Sequence, residues 1–128
     1  MKVTATIGRD HYKTVLETEI NSFVADETVS NGGKSEGFTP HELMSAALAS
    51  CTTITLRMYA DRKKWMLEEV NASVSFVKES GSETTLACEI ELKGNLSEEQ
   101  RSRLLEIANL CPVHKILSNP IQLNTRLI

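Results

Sequence analysis

The sequence predicts an α+β protein with antiparallel sheets, because paired strand signals, two separate helical patterns and the lack of a repeated strand–helix–strand unit occur together. Strand patterns come in neighbouring pairs joined by short turns, first at the N-terminus and again in the second half of the chain. A long helical pattern follows the first pair and a shorter one follows the second. The predicted order is strand, strand, helix, strand, strand, helix.

The N-terminal region predicts a hairpin followed by a loop. Apolar and polar residues roughly alternate over residues 2–7 and 12–20, and residues 8–11 form the turn between them. Residues 22–25 predict a third short strand. Residues 26–38 hold Gly32, Gly33 and Gly37 and predict a loop whose glycines let the backbone approach another segment closely; an ordinary solvated connector is the alternative.

The long helix has a clear start. Thr39 is predicted to cap it, with Pro40 at the first position and Glu42 completing a capping box. It should end near residues 62–65, where basic side chains complement the negative end of the helix dipole. Residues at spacings of three and four form one stripe, namely Leu43, Met44, Ala47, Cys51, Ile54, Thr55 and Met58.

This helix is too apolar for a lone small domain to expose on any side. We therefore expect a second copy of the chain to cover it, in a homodimer with a shared core. Burial of the helix against its own sheet is the alternative.

The second half repeats the pattern. Residues 70–77 and 84–92 predict a hairpin with its turn at 78–82. Ser97, with Gln100 three residues later, opens the last helix, which Pro112 is expected to stop. The residues expected to face inward are Leu104, Ile107, Ala108 and Cys111. Residues 116–128 are a candidate strand.

Length, composition and charge exclude several classes of protein. A chain of 128 residues fits a single domain, residues 1–128, and its 41% hydrophobic and 24% charged content is that of an ordinary globular protein. The net charge of −3 comes with no basic run beyond residues 62–64, so nucleic acid is not an expected partner. No apolar stretch approaches the roughly 20 residues that span a bilayer, which predicts no membrane partner and a cytoplasmic location.

The three cysteines carry the best clue to function. Their odd number and wide spacing do not suit a secreted disulfide scaffold, and a reducing compartment keeps such thiols free unless they react. Cys51 lies in the helical stripe, Cys111 directly precedes Pro112, and Cys88 reads as filler in a strand. A redox centre of Cys51 and Cys111 explains both positions, and the alternative is that each is a small buried hydrophobe.

Four segments resemble the OsmC/Ohr family, the osmotically inducible protein C-like proteins. They are residues 39–51, 55–63, 94–100 and 108–115, and the resemblance covers nearly the whole chain. The most specific combination is a small-residue helix that leads into Cys51 and a distant Cys-Pro-Val-His at 111–114. The sequence Pro-His-Glu-Leu at residues 40–43 is closer to the broad OsmC-like branch than to the Ohr branch. The resemblance implies an intertwined homodimer with antiparallel sheets wrapped around two central helices.

The resemblance also implies an activity, the thiol-dependent reduction of organic hydroperoxides. In that role Cys51 attacks the peroxide and Cys111 resolves the resulting sulfenic acid into a disulfide. An external dithiol reductant, of lipoyl type in some members, then restores the thiols, and no cofactor is implied. At the C-terminus of a helix Cys111 would feel the negative end of the dipole, which would make it the poorer first nucleophile. No metal site is expected, because Cys51, Cys111 and His114 lack paired Cys-x-x-Cys spacing.

The groups that would activate Cys51 depart from the family pattern. Arg9 is similar to the arginine that hydroperoxide-reducing members place over the thiolate, and an exposed turn arginine is the alternative. The family glutamate that holds this arginine directly follows the proline, but here that position is His41 and Glu42 comes one place later. At about 100° per residue Glu42 lies opposite Cys51 on the helix, so it does not simply replace the missing carboxylate. The alternative function is therefore a non-enzymatic binding module that uses the apolar dimer crevice, with redox-silent cysteines.

Overall fold

The computed structural model describes residues 1–128 as two compact units, residues 1–44 and residues 45–128. Antiparallel strand pairs and three α-helices confirm the predicted α+β class. The long helix α1, Pro40–Lys63, begins in the first unit and continues through the second. None of the helices combines the length and the apolarity that crossing a bilayer requires.

The first unit contains a three-stranded antiparallel sheet. Its strands β1 (Thr4–Thr6), β2 (Thr14–Glu17) and β3 (Ser22–Ala25) lie in the order β1-β2-β3. The register pairs Ala5 with Leu16 and Val15 with Val24. The predicted hairpin and third strand are both confirmed.

The loop after β3 is organised by a buried carboxylate. The side chain of Asp26 accepts the backbone N–H groups of Tyr12 at 3.1 Å, Glu27 at 2.7 Å, Lys34 at 3.2 Å and Glu36 at 3.1 Å. These donors, Glu36 first among them, hold the pKa of Asp26 below its ordinary value, although burial opposes them. Asp26 is only 3% exposed, so the loop is built around this residue and is more than a solvated connector.

The glycines of this loop allow close backbone approach, as predicted. A Cβ on Gly33 would overlap the carbonyl oxygen of Glu27, and one on Gly37 would overlap that of Val24. Only glycine leaves this space free. The loop also contains one short 3₁₀ helix, Val29–Asn31.

Helix α1 begins as the sequence predicts. The hydroxyl of Thr39 accepts the N–H of Glu42 at 3.2 Å, and the carboxylate of Glu42 accepts the N–H of Thr39 at 2.8 Å. Pro40 is the first helical residue, and the helix ends at Lys63 within the predicted range. Both predicted ends of α1 are confirmed.

In the second unit, the face of α1 that is buried lies beside the predicted stripe. The stripe residues Ile54 and Met58 remain 57% and 67% exposed. The buried residues recur every three or four positions on the adjacent face, namely Leu48, Thr52, Leu56, Tyr59 and Ala60. The helix therefore has two apolar faces, of which the chain itself covers one.

Two long strands, β4 (Met66–Glu79) and β5 (Thr84–Asn95), form the predicted second hairpin and extend beyond its predicted ends. Arginine side chains bond to the backbone of the extended ends that include Met66 and Asn95. The guanidinium of Arg57 donates to the carbonyl of Leu67 at 2.7 Å, and that of Arg101 donates to the carbonyls of Leu92 at 3.0 Å and Gly94 at 3.3 Å. These bonds lie beside the register shift between Leu67 and Glu69.

Helix α2, Glu98–Ala108, closes the core of the second unit. Its capping box of Ser97 and Gln100 is confirmed. Leu104 is fully buried, and Ile107 and Ala108 are nearly so, as predicted. These three residues pack with Leu56 and Tyr59 of α1.

Two predictions for the C-terminal region are wrong. Helix α2 ends at Ala108, and Cys111 is the N-cap of a third helix, α3, Pro112–Leu117. Pro112 begins α3 instead of stopping α2, because a proline at the first helical position loses no hydrogen bond. The predicted strand over residues 116–128 is absent, since α3 takes the start of this segment and residues 118–128 form no strand.

Candidate functional site

The structure brings two of the three cysteines together. All three are free thiols: Cys51 is half-buried, Cys88 is exposed and Cys111 is completely buried. Cys51 on α1 lies close enough to Cys111 to interact directly with its thiol. Cys88 lies on β5, paired across the hairpin with Val74, in keeping with its predicted role as filler.

Cys51 is presented by the middle of α1. Its sulfur lies 4.0 Å from the hydroxyl of Thr55, one turn further along the helix. The next residue, Thr52, is buried on the core side of the helix. Cys51 thus stands at the border between the core and the exposed apolar face, where it reaches solvent and Cys111.

Cys111 is held by groups from two helices. Its sulfur accepts the backbone N–H of His114 at 3.3 Å and lies 3.9 Å from the hydroxyl of Thr52. Burial is the main cause that raises the pKa of the Cys111 thiol; the His114 N–H and the Thr52 hydroxyl act in the opposite direction, and the neighbouring Cys51 raises it further.

This geometry corrects the sequence-based argument about the helix dipole. Cys111 lies at the N-terminus of α3, where backbone N–H groups favour a negative sulfur, and not at the C-terminus of a helix. The conclusion that its thiolate is disfavoured still holds, but the cause is burial. Cys111 is therefore protected from solvent and is poorly placed to meet a substrate first.

The proposed activating residues all lie in the first unit. Arg9 is exposed in the turn between β1 and β2, and His41 is exposed in the first turn of α1. The carboxylate of Glu42 is engaged by the N–H of Thr39 at the start of the helix. The roles predicted for these three residues beside Cys51 stay predictions.

Sequence reasoning missed Thr52. A local signal for it exists, because Thr52 falls between Leu48 and Leu56 at spacings of four on the face of α1 that turns out to be buried. A polar residue within such a face needs a hydrogen-bond partner. The partner is Cys111, which is 59 positions away in the sequence.

Solved structures share this fold at low sequence identity. A protein of Psychrobacter arcticus 273-4, described as an osmotic stress induced and detoxification response protein, has a TM-score of 0.75 at 23% identity, over 91% of this chain and 87% of its own. An OsmC-like protein of Mycoplasma pneumoniae gives 0.74 at 17% identity, over 91% and 85%. The organic hydroperoxide resistance protein OhrB of Bacillus subtilis gives 0.64 at 22% identity, over 91% and 89%.

Sequence comparison supplies the family. Among curated proteins no sequence matches the chain. The family model described as OsmC-like protein matches residues 32–126, which include Cys51, Cys111 and the whole second unit except its last two residues. The resemblance seen in the sequence is thereby confirmed, and the chain belongs to the OsmC-like protein family.

Proposed function

We propose that this protein is a thiol-dependent reductase of organic hydroperoxides, with Cys51 as the attacking thiol and Cys111 as the resolving thiol. The observation that carries the proposal is a half-exposed thiol directly beside a fully buried one. A small peroxide can reach Cys51, whereas Cys111 is buried and its sulfur has Cys51 as a neighbour. The fold shared with the organic hydroperoxide resistance protein of Bacillus subtilis supports the same chemistry.

The reaction has two steps at the protein. The thiolate of Cys51 attacks the outer oxygen of the hydroperoxide, the O–O bond breaks, and the alkoxide takes up a proton and leaves as an alcohol, which leaves Cys51 as a sulfenic acid. The sulfur of Cys111 then attacks the sulfur of Cys51. The S–S bond forms, the S–O bond breaks, and the departing hydroxide leaves as water with the proton from Cys111.

The cycle closes with an external reductant. A dithiol attacks the disulfide of Cys51 and Cys111, and two thiol–disulfide exchanges return both cysteines to thiols while the dithiol becomes a disulfide. One hydroperoxide and one dithiol thus give one alcohol, one water and one oxidised dithiol. A reducing compartment such as the cytoplasm supplies this reductant; a lipoyl-type dithiol is the candidate.

Attack on an O–O bond requires a thiolate, which a nearby cation favours. In the proposal Arg9 is this cation, and His41, at the position of the family glutamate, orients it, whereas Glu42 caps the start of α1. The change Arg9→Gln should therefore slow the loss of the first thiol to peroxide and leave the second step unchanged. An equal rate in the wild type and the variant would remove Arg9 from the mechanism.

The proposal includes a homodimer of single-domain chains, residues 1–128, in which two copies of α1 pack together inside antiparallel sheets. Its support is the second apolar face of α1, where Ile54 and Met58 are exposed. With Arg57 and Val70, among others, they line a groove of about 380 Å³ in the second unit. A second copy would bury this groove and enclose the approach to Cys51.

The decisive experiment counts thiols in the reduced protein as cumene hydroperoxide is added. The wild type should lose two thiols per chain at one equivalent, and Cys51→Ser should lose none. Cys111→Ser should lose one and form a sulfenic acid that dimedone traps. The matched control is Cys88→Ser, which removes an exposed thiol and should behave as the wild type does. No loss of thiols in the wild type would overturn the proposal in favour of a binding module.

A further inference from the structure

The contact between Thr52 and Cys111 differs from the contacts of the neighbouring hydroxyls of Ser50 and Thr53. The hydroxyls of Ser50 and Thr53 donate to backbone carbonyls one turn earlier in the same helix, at 3.2 Å and 3.0 Å. Thr52 directs its hydroxyl to the sulfur of Cys111 at 3.9 Å. Thr52 is 2% exposed and Cys111 is fully buried, so water does not compete for this contact.

Besides the thiol of Cys51, the sulfur of Cys111 has two hydrogen-bonding groups around it. The peptide N–H of His114 is fixed by α3 and points at the sulfur at 3.3 Å. The hydroxyl of Thr52 rotates, so it accepts the S–H of the neutral thiol and donates to the sulfur of the thiolate. The contact therefore suits Cys111 before and after it loses its proton.

A buried thiol needs a hydrogen-bond donor that stabilises its thiolate in order to react as a nucleophile. Burial raises the pKa of Cys111, while the Thr52 hydroxyl and the His114 N–H lower it. The titratable group that acts on Cys111 is the thiol of Cys51, and this group changes when it becomes a sulfenic acid. The nucleophile of the resolving step thus depends on uncharged donors.

We propose that Thr52 is the positioning residue for the resolving thiol: its hydroxyl holds the sulfur of Cys111 beside Cys51 and stabilises the thiolate that attacks the Cys51 sulfenic acid. The inference rests on the proposed function, since it assigns a residue to the second step of that reaction. In that step Cys111 gives up its proton, the S–S bond forms, and hydroxide leaves from Cys51 and becomes water.

The first test measures the ionisation of Cys111 without any peroxide. In a Cys51→Ser, Cys88→Ser background, the absorbance near 240 nm reports the titration of Cys111 once the tyrosinate signal of Tyr12 and Tyr59, measured in the same background with Cys111→Ser, is subtracted. Thr52→Val keeps the shape of the side chain and removes the hydroxyl, and it should raise the midpoint by about one pH unit, as expected for the loss of one hydrogen bond to a charged group. Thr52→Ser keeps the hydroxyl and should therefore show the wild-type midpoint. An unchanged midpoint in Thr52→Val would overturn the proposal.

The second test measures the two chemical steps in a single turnover with cumene hydroperoxide. Thr52→Val should form the sulfenic acid at the wild-type rate and close the disulfide about tenfold more slowly at neutral pH. The difference in the rate of disulfide closure between Thr52→Val and the wild type should shrink as the pH rises above the midpoint of Cys111, because the thiolate then forms without the Thr52 hydroxyl. A purely structural role would slow the step equally at every pH and would not be rescued by Thr52→Ser; either result would overturn the proposal.

Controls separate this inference from folding and from the proposed function. Thr53→Val removes a hydroxyl that bonds only a carbonyl of α1, so both steps should keep wild-type rates. If Thr52→Val fails to fold, Thr52→Ala provides a second side chain without a hydroxyl. If the wild type loses no thiol to peroxide, the proposed function fails, but the titration still tests whether Thr52 stabilises the thiolate of Cys111.

Discussion

The backbone N–H of His114 donates to the sulfur of Cys111 at 3.3 Å, so a cysteine caps helix α3. Serine, threonine, asparagine and aspartate are the usual residues at this position. The bond gives Cys111 a structural task in the reduced protein, and in the proposed mechanism the same sulfur would later bond to Cys51. Formation of that disulfide would change the cap of α3.

The cap predicts an order of stability among variants of Cys111. Cys111→Ala should lower the free energy of unfolding by about 1 kcal/mol, the usual effect of losing an N-cap. Cys111→Ser should lower it less, because the serine hydroxyl still accepts the N–H of His114. Urea unfolding of the reduced proteins measures the order, and Cys88→Ala, an exposed thiol, should change stability by less than about 0.5 kcal/mol. Equal losses for alanine and serine would show that the cap contributes nothing.

The carboxylate of Asp26 predicts how the first unit responds to acid. Its pKa is lower in the folded protein than in the unfolded chain, since it accepts four backbone N–H groups. The stabilisation is therefore present above the ordinary pKa of an aspartate and is lost as the pH falls through the lower folded value. The protection factors of the amides of Lys34 and Glu36, which correct each exchange rate for its intrinsic dependence on pH, should be high at pH 7 and should fall in acid.

Asp26→Asn tests the same carboxylate at constant pH. Its amide nitrogen would face N–H groups that now reach carboxylate oxygen, so the variant should be less stable than the wild type at pH 7. The difference in thermal midpoint should narrow as the pH falls through the lowered pKa of the wild-type carboxylate. Asp10→Asn is the control, since Asp10 is exposed. A difference that stays constant with pH would contradict the assignment.

Local patterns predict the start of α1, because the reciprocal bonds of Thr39 and Glu42 lie within four residues of sequence. They do not predict Asp26, whose donors include Tyr12 and Glu36, at distances of 14 and 10 positions. Pro112 is ambiguous for a different reason. A proline that ends one helix and a proline that begins the next look the same until the turn at residues 109–111 is known.

The candidate site likewise contains features that the sequence predicts and one that depends on a long-range contact. The pairing of Cys51 with Cys111 follows from the two motifs and the resemblance they carry, and the structure brings the two thiols together. The spacing of Thr52 from Leu48 and Leu56 signals a buried position, but it does not reveal the partner of the hydroxyl. That partner, Cys111, lies outside α1 and 59 positions away in the sequence.

Gly94 predicts a strong local effect in the second hairpin. Its φ of +144° is one that residues other than glycine rarely adopt, and a Cβ would overlap the carbonyl oxygen of Met66. Gly94→Ala should therefore reduce the free energy of unfolding by more than about 1 kcal/mol. Gly81 is the matched control, because nothing lies near the position of its Cβ in the hairpin turn. Equal stability of the two alanine variants would argue against a strained position at Gly94.

The two faces of α1 predict opposite outcomes for neighbouring residues. Leu56 is fully buried in the core of the second unit, so Leu56→Ala should cost about 2–5 kcal/mol of stability. Ile54 is 57% exposed on the face assigned to the second copy. If the proposed dimer forms through this face, Ile54→Asp should leave the fold of each chain intact and convert the dimer to monomers, because a charge would be buried at the interface. Circular dichroism and sedimentation measure the two effects separately. A folded Ile54→Asp protein that sediments as the wild type does would remove this face of α1 from the dimer interface.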